Sequence, residues 1–160
     1  MDNIADSLSK PIPQPIRGFQ GEFRFLSNFW PAPIVMGTLV FPTSEHAYQA
    51  AKSLNWEDWK DISECVSPGA AKRLGKKLEM RPDWDQIKIR IMGEITRAKY
   101  EQNPDLKQKL LATAPRELRE DNHWGDIFWG VCRGRGHNHL GRILMAYRDG
   151  FLSKYIEENS

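Results

Sequence analysis

The chain has 160 residues, of which 40% are hydrophobic and 28% are charged, and this composition fits one folded domain with a substantial core. Its 23 basic and 21 acidic residues leave a formal net charge of +2, so overall charge gives no indication of a nucleic-acid partner. Cys65 and Cys132 are predicted to be free thiols in a cytoplasmic protein, because no stretch resembles a signal peptide or reaches membrane-spanning length.

The N-terminal part of the chain is predicted to contain a tail and a small β element. Residues 1–20 are expected to be only partly ordered, because three prolines accompany no sustained periodicity, and the domain is then expected to span 21–160. Residues 22–25 are predicted as a short strand. The apolar segment that follows predicts a β-hairpin that turns at Gly37.

Helical periodicity dominates the rest of the chain. Most of the helices are predicted to begin at a capping residue or at a proline in the first turn. The predicted ranges are about 44–54, 56–64, 68–78, 82–102, 103–111 and 138–155. Gly150 is expected to weaken the last of these helices near its end. The fold is therefore predicted to be mainly α, a single-domain helical bundle with a small N-terminal β element.

The first predicted helix carries an unusual polar stripe. At about 100° per residue, Glu45, Tyr48, Gln49 and Lys52 share one face of the helix. The stripe is either a solvated surface or the floor of a site. Glu45 lies in the first turn, where the helix dipole is expected to keep its carboxylate ionised.

The segment 113–137 is predicted to be a functional loop, because long loops in compact domains often carry function. Arg133 and Arg135 alternate with glycines, a pattern that suits a phosphate but also a plain turn. The helix that begins at Asn138 is expected to offer free N–H groups to an anion. His and Cys side chains crowd the same segment, but their spacing matches no standard zinc site, so we expect no metal.

Several motifs occur together in a fixed order: LSNFWPAPI, PTSEHAYQAAK, GAAKRLGK, ATAPRELRE, WGD and GHNHLGRILMAYR. Between residues 21 and 148 they resemble the NADAR (YbiA-like) superfamily. The resemblance implies cleavage of N-glycosidic bonds to ribose, as in the N-glycosidase that acts on intermediates of riboflavin synthesis. It implies neither a metal nor an organic cofactor.

The resemblance also implies which residues act. Glu45 matches the family's essential glutamate, as nucleophile, base or electrostatic stabiliser. Asp126, in WGD, is the second carboxylate, expected either to protonate the leaving base or to orient ribose hydroxyls, with a loop cap as the structural alternative. The residues expected to bind the substrate are Asn28, Phe29, Tyr48, Gln49, Lys52, Trp84, Lys88, Trp124, Arg133, Arg135 and Asn138. Trp84 is also the first inward-facing residue of its predicted helix, so a core role is the alternative.

Three functions remain open at this point. The first is hydrolysis of phosphoribosylamino-pyrimidine intermediates of riboflavin synthesis. The second is removal of ADP-ribose from guanine in nucleic acid, for which Arg116, Arg119, Arg133 and Arg135 would supply a basic face. The third is a non-catalytic module that binds ADP-ribose or NAD. The leaving base and the oligomeric state are not predicted, and no membrane contact is expected.

Overall fold

A computed structural model describes residues 11–160, and the first ten residues of the predicted tail lie outside this part of the chain. The chain is mainly α, as predicted. Its helices are α1 (Ser44–Ala51), α2 (Trp56–Ser63), α3 (Pro68–Gly75), α4 (Trp84–Gln102), α5 (Pro104–Leu111), α6 (His139–Asp149) and α7 (Leu152–Glu158). Within residues 11–160, no helix combines the length and apolar character that crossing a membrane requires.

Helix α1 lies at the centre of the packing. It contacts α2, α3 and α4, and α4 in turn packs against α5, α6 and α7. Every residue of α1 is buried, including Glu45, Tyr48 and Gln49 of its polar stripe, and Lys52, directly after the helix, is half-buried. The small side chains of Ala47, Ala50 and Ala51 allow neighbouring helices to approach closely. The polar stripe is therefore not a solvated surface.

Three two-stranded sheets accompany the helices. Strands β2 (Ile34–Met36) and β3 (Leu39–Phe41) form the predicted antiparallel hairpin, in which Gly37 adopts φ +62° at the turn. The other two sheets are parallel and bring distant segments together: β1 (Ile16–Arg17) with β4 (Leu118–Arg119), and β5 (Asp121–Asn122) with β6 (Val131–Cys132).

The predicted strand at 22–25 is wrong. Gly21–Leu26 forms a 3₁₀-helix whose Phe25 and Leu26 side chains are buried. Aromatic residues at alternating positions gave the strand-like pattern, but turn hydrogen bonds such as Phe23 N–H to Gln20 O close the backbone locally. Ordered structure also begins inside the predicted tail, since Ile16 pairs with Leu118 and is buried.

The C-terminal region holds two helices where the sequence predicted one. Gly150 adopts φ +88° and ends α6, and α7 starts at Leu152. A left-handed glycine directly after a helix is a common helix terminator. The weakening expected at Gly150 is thus a complete break, after which Tyr155 and Ile156 still reach the core.

Lys99 on α4 ties the segment before α1 to the core. Its Nζ donates hydrogen bonds to Phe25 O at 2.7 Å and to Ser27 O at 3.0 Å, and its side chain is fully buried. Burial without a counter-charge lowers the pKa of Lys99 to about 7.

This burial predicts a pH-dependent stability. Because the folded-state pKa of about 7 lies below the ordinary 10.5, the unfolded chain binds more protons between these values. The free energy of unfolding should therefore rise with pH across this window, by at most about 1.4 kcal/mol per pH unit from this lysine. Urea unfolding at several pH values should show this slope in the difference between wild type and Lys99→Met. Lys154→Met, which removes an exposed lysine, is the control, and a pH-independent difference for Lys99→Met would contradict the expectation.

Candidate active site

Glu45 is fixed by the way α1 begins. Thr43 caps the helix by accepting a hydrogen bond from His46 N–H at 3.2 Å. The His46 ring is fully buried, with Nε2 lying 3.0 Å from Cys65 O. The backbone N–H of Glu45 donates to Asn28 O at 3.0 Å, so the SNFW motif is held against the first turn of α1.

The Glu45 carboxylate lies in a largely water-free environment. The residue is 8% exposed, and Gln49 Nε2 donates to Glu45 Oε1 at 2.7 Å. Burial raises the pKa of Glu45, and the hydrogen bond from Gln49 and the charges of Lys72 and Lys52 oppose that rise. The expectation of an ionised Glu45 rested on the helix dipole alone and left out this burial, which acts in the opposite direction.

A third carboxyl group joins Glu45 and Asp126. Burial, together with the charges of Asp126 and Glu45, raises the pKa of Glu120 to about 8. The sequence reasoning missed Glu120, although it is the last residue of the ATAPRELRE motif. Three carboxyl groups from separate parts of the chain therefore lie close enough to influence one another's charge.

Asp126 has a structural role as well. Its Oδ1 accepts hydrogen bonds from Phe128 N–H at 3.2 Å and Trp129 N–H at 2.9 Å, which closes the turn after WGD. Its own N–H donates to Asn122 Oδ1 at 3.1 Å. These bonds orient the Asp126 carboxylate and leave Oδ2 for another partner.

Aromatic rings form one wall beside the carboxyl groups. The Tyr48 ring packs against Trp84 at 5.2 Å and against Trp129 at 5.6 Å between centroids. Trp129 continues to Phe128 at 4.8 Å, and Lys88 Nζ lies 4.1 Å from the Phe128 centroid. Trp84 is only 4% exposed and packs against Tyr48 from the core side. This burial is what the core alternative predicted for Trp84.

Four lysines lie around the same region. Burial lowers the pKa of Lys52, the nearby charge of Glu45 opposes this, and the charges of Lys72, Lys76 and Lys88 lower it further. Lys72 and Lys76 were not predicted, although both belong to the GAAKRLGK motif. A group of lysines beside buried carboxyl groups is suited to an anionic ligand.

Several predicted site residues are exposed at the surface. Trp124 is 57% exposed and packs against His123 with ring centroids 5.2 Å apart, and Phe29 is 39% exposed. Arg133 and Arg135 are exposed in the turn that follows β6.

The expected anion site at the start of α6 is wrong. The N–H groups of Asn138, His139 and Leu140 donate to the carbonyls of Gly130, Phe128 and Trp129. Asn138 is buried, and its side chain bridges Leu118 O at 2.9 Å and Glu120 N–H at 3.0 Å. Its side chain positions Glu120, and the N–H groups of residues 138–140 are already engaged.

Metal ligation finds no support in the arrangement of side chains. Across residues 11–160, no three His, Cys, Asp or Glu residues are grouped to hold a metal ion. His137 and His139 stack at 5.5 Å, and His139 Nδ1 lies 2.7 Å from Tyr155 OH. These histidines belong to the aromatic packing of the loop.

Comparison with known proteins identifies related chains. The NADAR domain matches residues 18–152. N-glycosidase YbiA of Escherichia coli (strain K12) is 39% identical over 126 residues, which make up 77% of this chain and 78% of that protein. A riboflavin biosynthesis protein of Vibrio vulnificus (strain YJ016) is 37% identical over 149 residues, or 90% of this chain and 40% of that protein. The NMR structure of E. coli YbiA matches with a TM-score of 0.78 at 34% identity, covering 90% of this chain and 88% of the other.

The fold, the site and these similarities define an enzyme, a hydrolase that acts on N-glycosyl bonds. Within that class, the chain belongs to the NADAR domain family.

A glycine on α3 keeps Glu45 and Gln49 in place. A Cβ at Gly75 would overlap Gln49 Oε1 and lie 2.8 Å from its Cδ, and Gln49 is too deeply buried to move away. Gly75→Ala should therefore break the Gln49–Glu45 hydrogen bond, lower the free energy of unfolding by about 1–3 kcal/mol and reduce kcat/KM.

The matched control is Gly69→Ala, six positions earlier in the chain and also in α3. Its added Cβ would meet its nearest neighbour, Arg73, at an ordinary 3.5 Å, so stability and kcat/KM should not fall. Urea unfolding and steady-state kinetics on both variants measure the contrast. Equal behaviour of the two variants would show that Gly75 does not constrain Gln49.

Proposed function

We propose that the enzyme hydrolyses the C–N bond between ribose 5-phosphate and a base, with phosphoribosylamino-pyrimidine intermediates of riboflavin synthesis as substrates. The observation that carries this proposal is the burial of Glu45 beside two further carboxyl groups and a set of lysines. The similar proteins support the same proposal, because they include N-glycosidases and riboflavin biosynthesis proteins.

We assign Glu45 as the carboxylate that lies beside the sugar carbon at which the bond breaks. Breaking a ribosyl C–N bond builds positive charge on the sugar, and a carboxylate close to that carbon lowers the energy of this charge. Because the carboxylate is shielded from water, its charge acts in a low effective dielectric. A pKa raised by burial also makes Glu45 a stronger base for activating the attacking water.

Asp126 is assigned to the sugar. Phe128 N–H and Trp129 N–H hold its Oδ1, so its remaining oxygen is directed and suited to accept a hydrogen bond from a ribose hydroxyl. Asn28 and Phe29 precede α1 and are joined to its first turn, where Asn28 O accepts from Glu45 N–H. We assign these two residues to the edge of the same site.

The lysines are assigned to the phosphate. A ribose 5-phosphate carries up to two negative charges, and Lys72, Lys76 and Lys88 are near enough for their charges to act on Lys52. Lys88 also pairs with Asp85 at 3.2 Å, which partly offsets its charge. Lys52 is the best candidate of the four, because it is half-buried and Glu45 is among the charges acting on it.

A second candidate substrate is ADP-ribosylated guanine in nucleic acid. The observation that favours it is a surface cavity of about 330 Å³ beside the 133–136 turn, lined in part by Arg119 and Arg142. The exposed Arg133 and Arg135 extend the same basic surface. Such a surface suits a phosphodiester backbone. The first candidate remains preferred, because the buried cluster alone accounts for a small phosphorylated substrate.

Glu45→Gln tests the proposed activity. The wild type should release ribose 5-phosphate from a phosphoribosylamino-pyrimidine, and Glu45→Gln should lower kcat by about 10²-fold or more, since the amide carries no charge and accepts no proton. Glu57→Gln, in the first turn of α2 and exposed, is the matched control and should keep full activity.

The same assay separates the alternatives. Release of ADP-ribose from modified guanine in DNA, without turnover of the pyrimidine substrate, would favour the second candidate. Binding of ADP-ribose or NAD without turnover of either substrate would contradict both and favour the non-catalytic module. Equal activity of Glu45→Gln and the wild type would remove Glu45 from the chemistry.

A separate experiment tests the phosphate assignment. Lys52→Met should raise KM about tenfold for the phosphorylated substrate, equivalent to about 1.4 kcal/mol of lost binding, and should change KM little for the dephosphorylated one. Lys60→Met, on α2, is the control and should change neither. Equal increases in KM for both substrates would show that Lys52 does not recognise the phosphate.

A further inference from the structure

We propose that Glu120 is the proton donor to the base as it leaves. This inference rests on the proposed N-glycosidase reaction and extends it to the residue that completes the chemistry. An amino-linked base is a poor leaving group while the electron pair of the broken C–N bond stays on nitrogen without a proton. A general acid placed near that nitrogen removes this barrier.

The three carboxyl groups differ in what surrounds their oxygens. Glu45 Oε1 accepts a hydrogen bond from Gln49, and Asp126 Oδ1 accepts two from backbone N–H groups. Glu120 Oε2 is buried and has no hydrogen-bond partner within residues 11–160. Donors stabilise a charged carboxylate, so the group without them is the one that keeps its proton.

The charges that face Glu120 favour the same assignment. They are Asp126 in the WGD loop, Glu45 on α1 and Lys72 on α3, of which only Lys72 favours an ionised Glu120. Burial is the largest influence and raises the pKa of Glu120 to about 8. At neutral pH this carboxyl group therefore carries its proton while remaining able to release it, as a general acid requires.

The backbone around Glu120 is firmly held. Its N–H donates to Asn138 Oδ1 at 3.0 Å, and its carbonyl accepts from Val131 N–H at 2.9 Å. Gly130 packs so closely that any Cβ there would collide with Glu120 O. With both sides of the residue fixed, the backbone of Glu120 is held in place, and its Oε2 is buried.

The proposed step balances as a hydrolysis. The C–N bond breaks, its electron pair goes to the nitrogen, and the Glu120 proton is transferred to that nitrogen. Water forms the new C–O bond and gives one proton to the Glu45 carboxylate. The products are the free amine and ribose 5-phosphate, and a proton returns from Glu45 to Glu120 through solvent before the next turnover.

The pH dependence of Glu120→Gln tests this role. Because the acid must be protonated, kcat/KM of the wild type should fall above about pH 8. Glu120→Gln, which keeps the size of the side chain but has no proton to transfer, should lose about 10²-fold in kcat at pH 7 and show no such fall. The matched control is Glu117→Gln, three residues earlier and exposed, which should keep both the rate and the pH profile of the wild type.

The outcomes separate this inference from the proposed function. If the wild type cleaves the substrate and Glu45→Gln does not, while Glu120→Gln stays within threefold of the wild type, Glu120 is not the acid. A slow Glu120→Gln that still loses activity above pH 8 would also overturn the inference, because another group would then supply the proton. Circular dichroism and urea unfolding show whether the variant folds. If it does not fold, the same pH profile measured on Glu120→Asp decides, since a shorter acid should keep the fall above neutral pH with a lower rate.

Discussion

The burial of polar side chains along α1 is the constraint on which the rest of the site depends. Taking Glu45 and Gln49 out of water costs free energy, and the bond from Gln49 Nε2 to Glu45 Oε1 offsets part of that cost, while Gln49 Oε1 stays buried without a partner among the described residues. The close approach of α3 at Gly75 then holds Gln49 in place. A carboxyl group held in this way has a raised pKa and acts strongly on the charges around it.

Much of the fold follows from local chemistry that the sequence displays. Thr43, Asn55 and Ser67 cap α1, α2 and α3 through their side chains, and capping residues were predicted at most helix starts. The hairpin at Gly37 is equally local. The elements that were missed depend on distant partners: β1 and β4 pair across about a hundred residues, and no local pattern marks either strand. The break at Gly150 was underestimated because propensity gives a cost for glycine but does not fix its φ angle.

The site residues also divide into those that a local sequence pattern marks and those that depend on distant partners. The helical period placed Glu45, Tyr48, Gln49 and Lys52 on one face, and all four belong to or border the buried cluster. Glu120 could not be found in this way, because its environment is created by Asn138 and by the pairing of β5 with β6. The role predicted for Arg133 and Arg135 stays a prediction, whereas Lys52 is a lysine whose pKa responds to the charge of Glu45.

The loop between β5 and α6 bears on how the proposed substrate would be oriented in the site. Its carbonyls accept hydrogen bonds from the N–H groups of residues 138–140 at the start of α6. These donors are therefore not free to bind an anion. The loop also packs Trp129 against Tyr48 and places Phe128 beneath Lys88. These aromatic side chains form an apolar wall beside the carboxyl groups. Lys72 lies on α3 and Lys76 directly follows it, and this helix is separate from the loop. Under the proposed function, the phosphate would lie toward α3 and the planar base toward the loop, with the bond to be broken between them, beside Glu45 and Glu120. Because the leaving base would face the loop, a change of substrate within the family would be expected to change the loop and leave the carboxyl groups as they are.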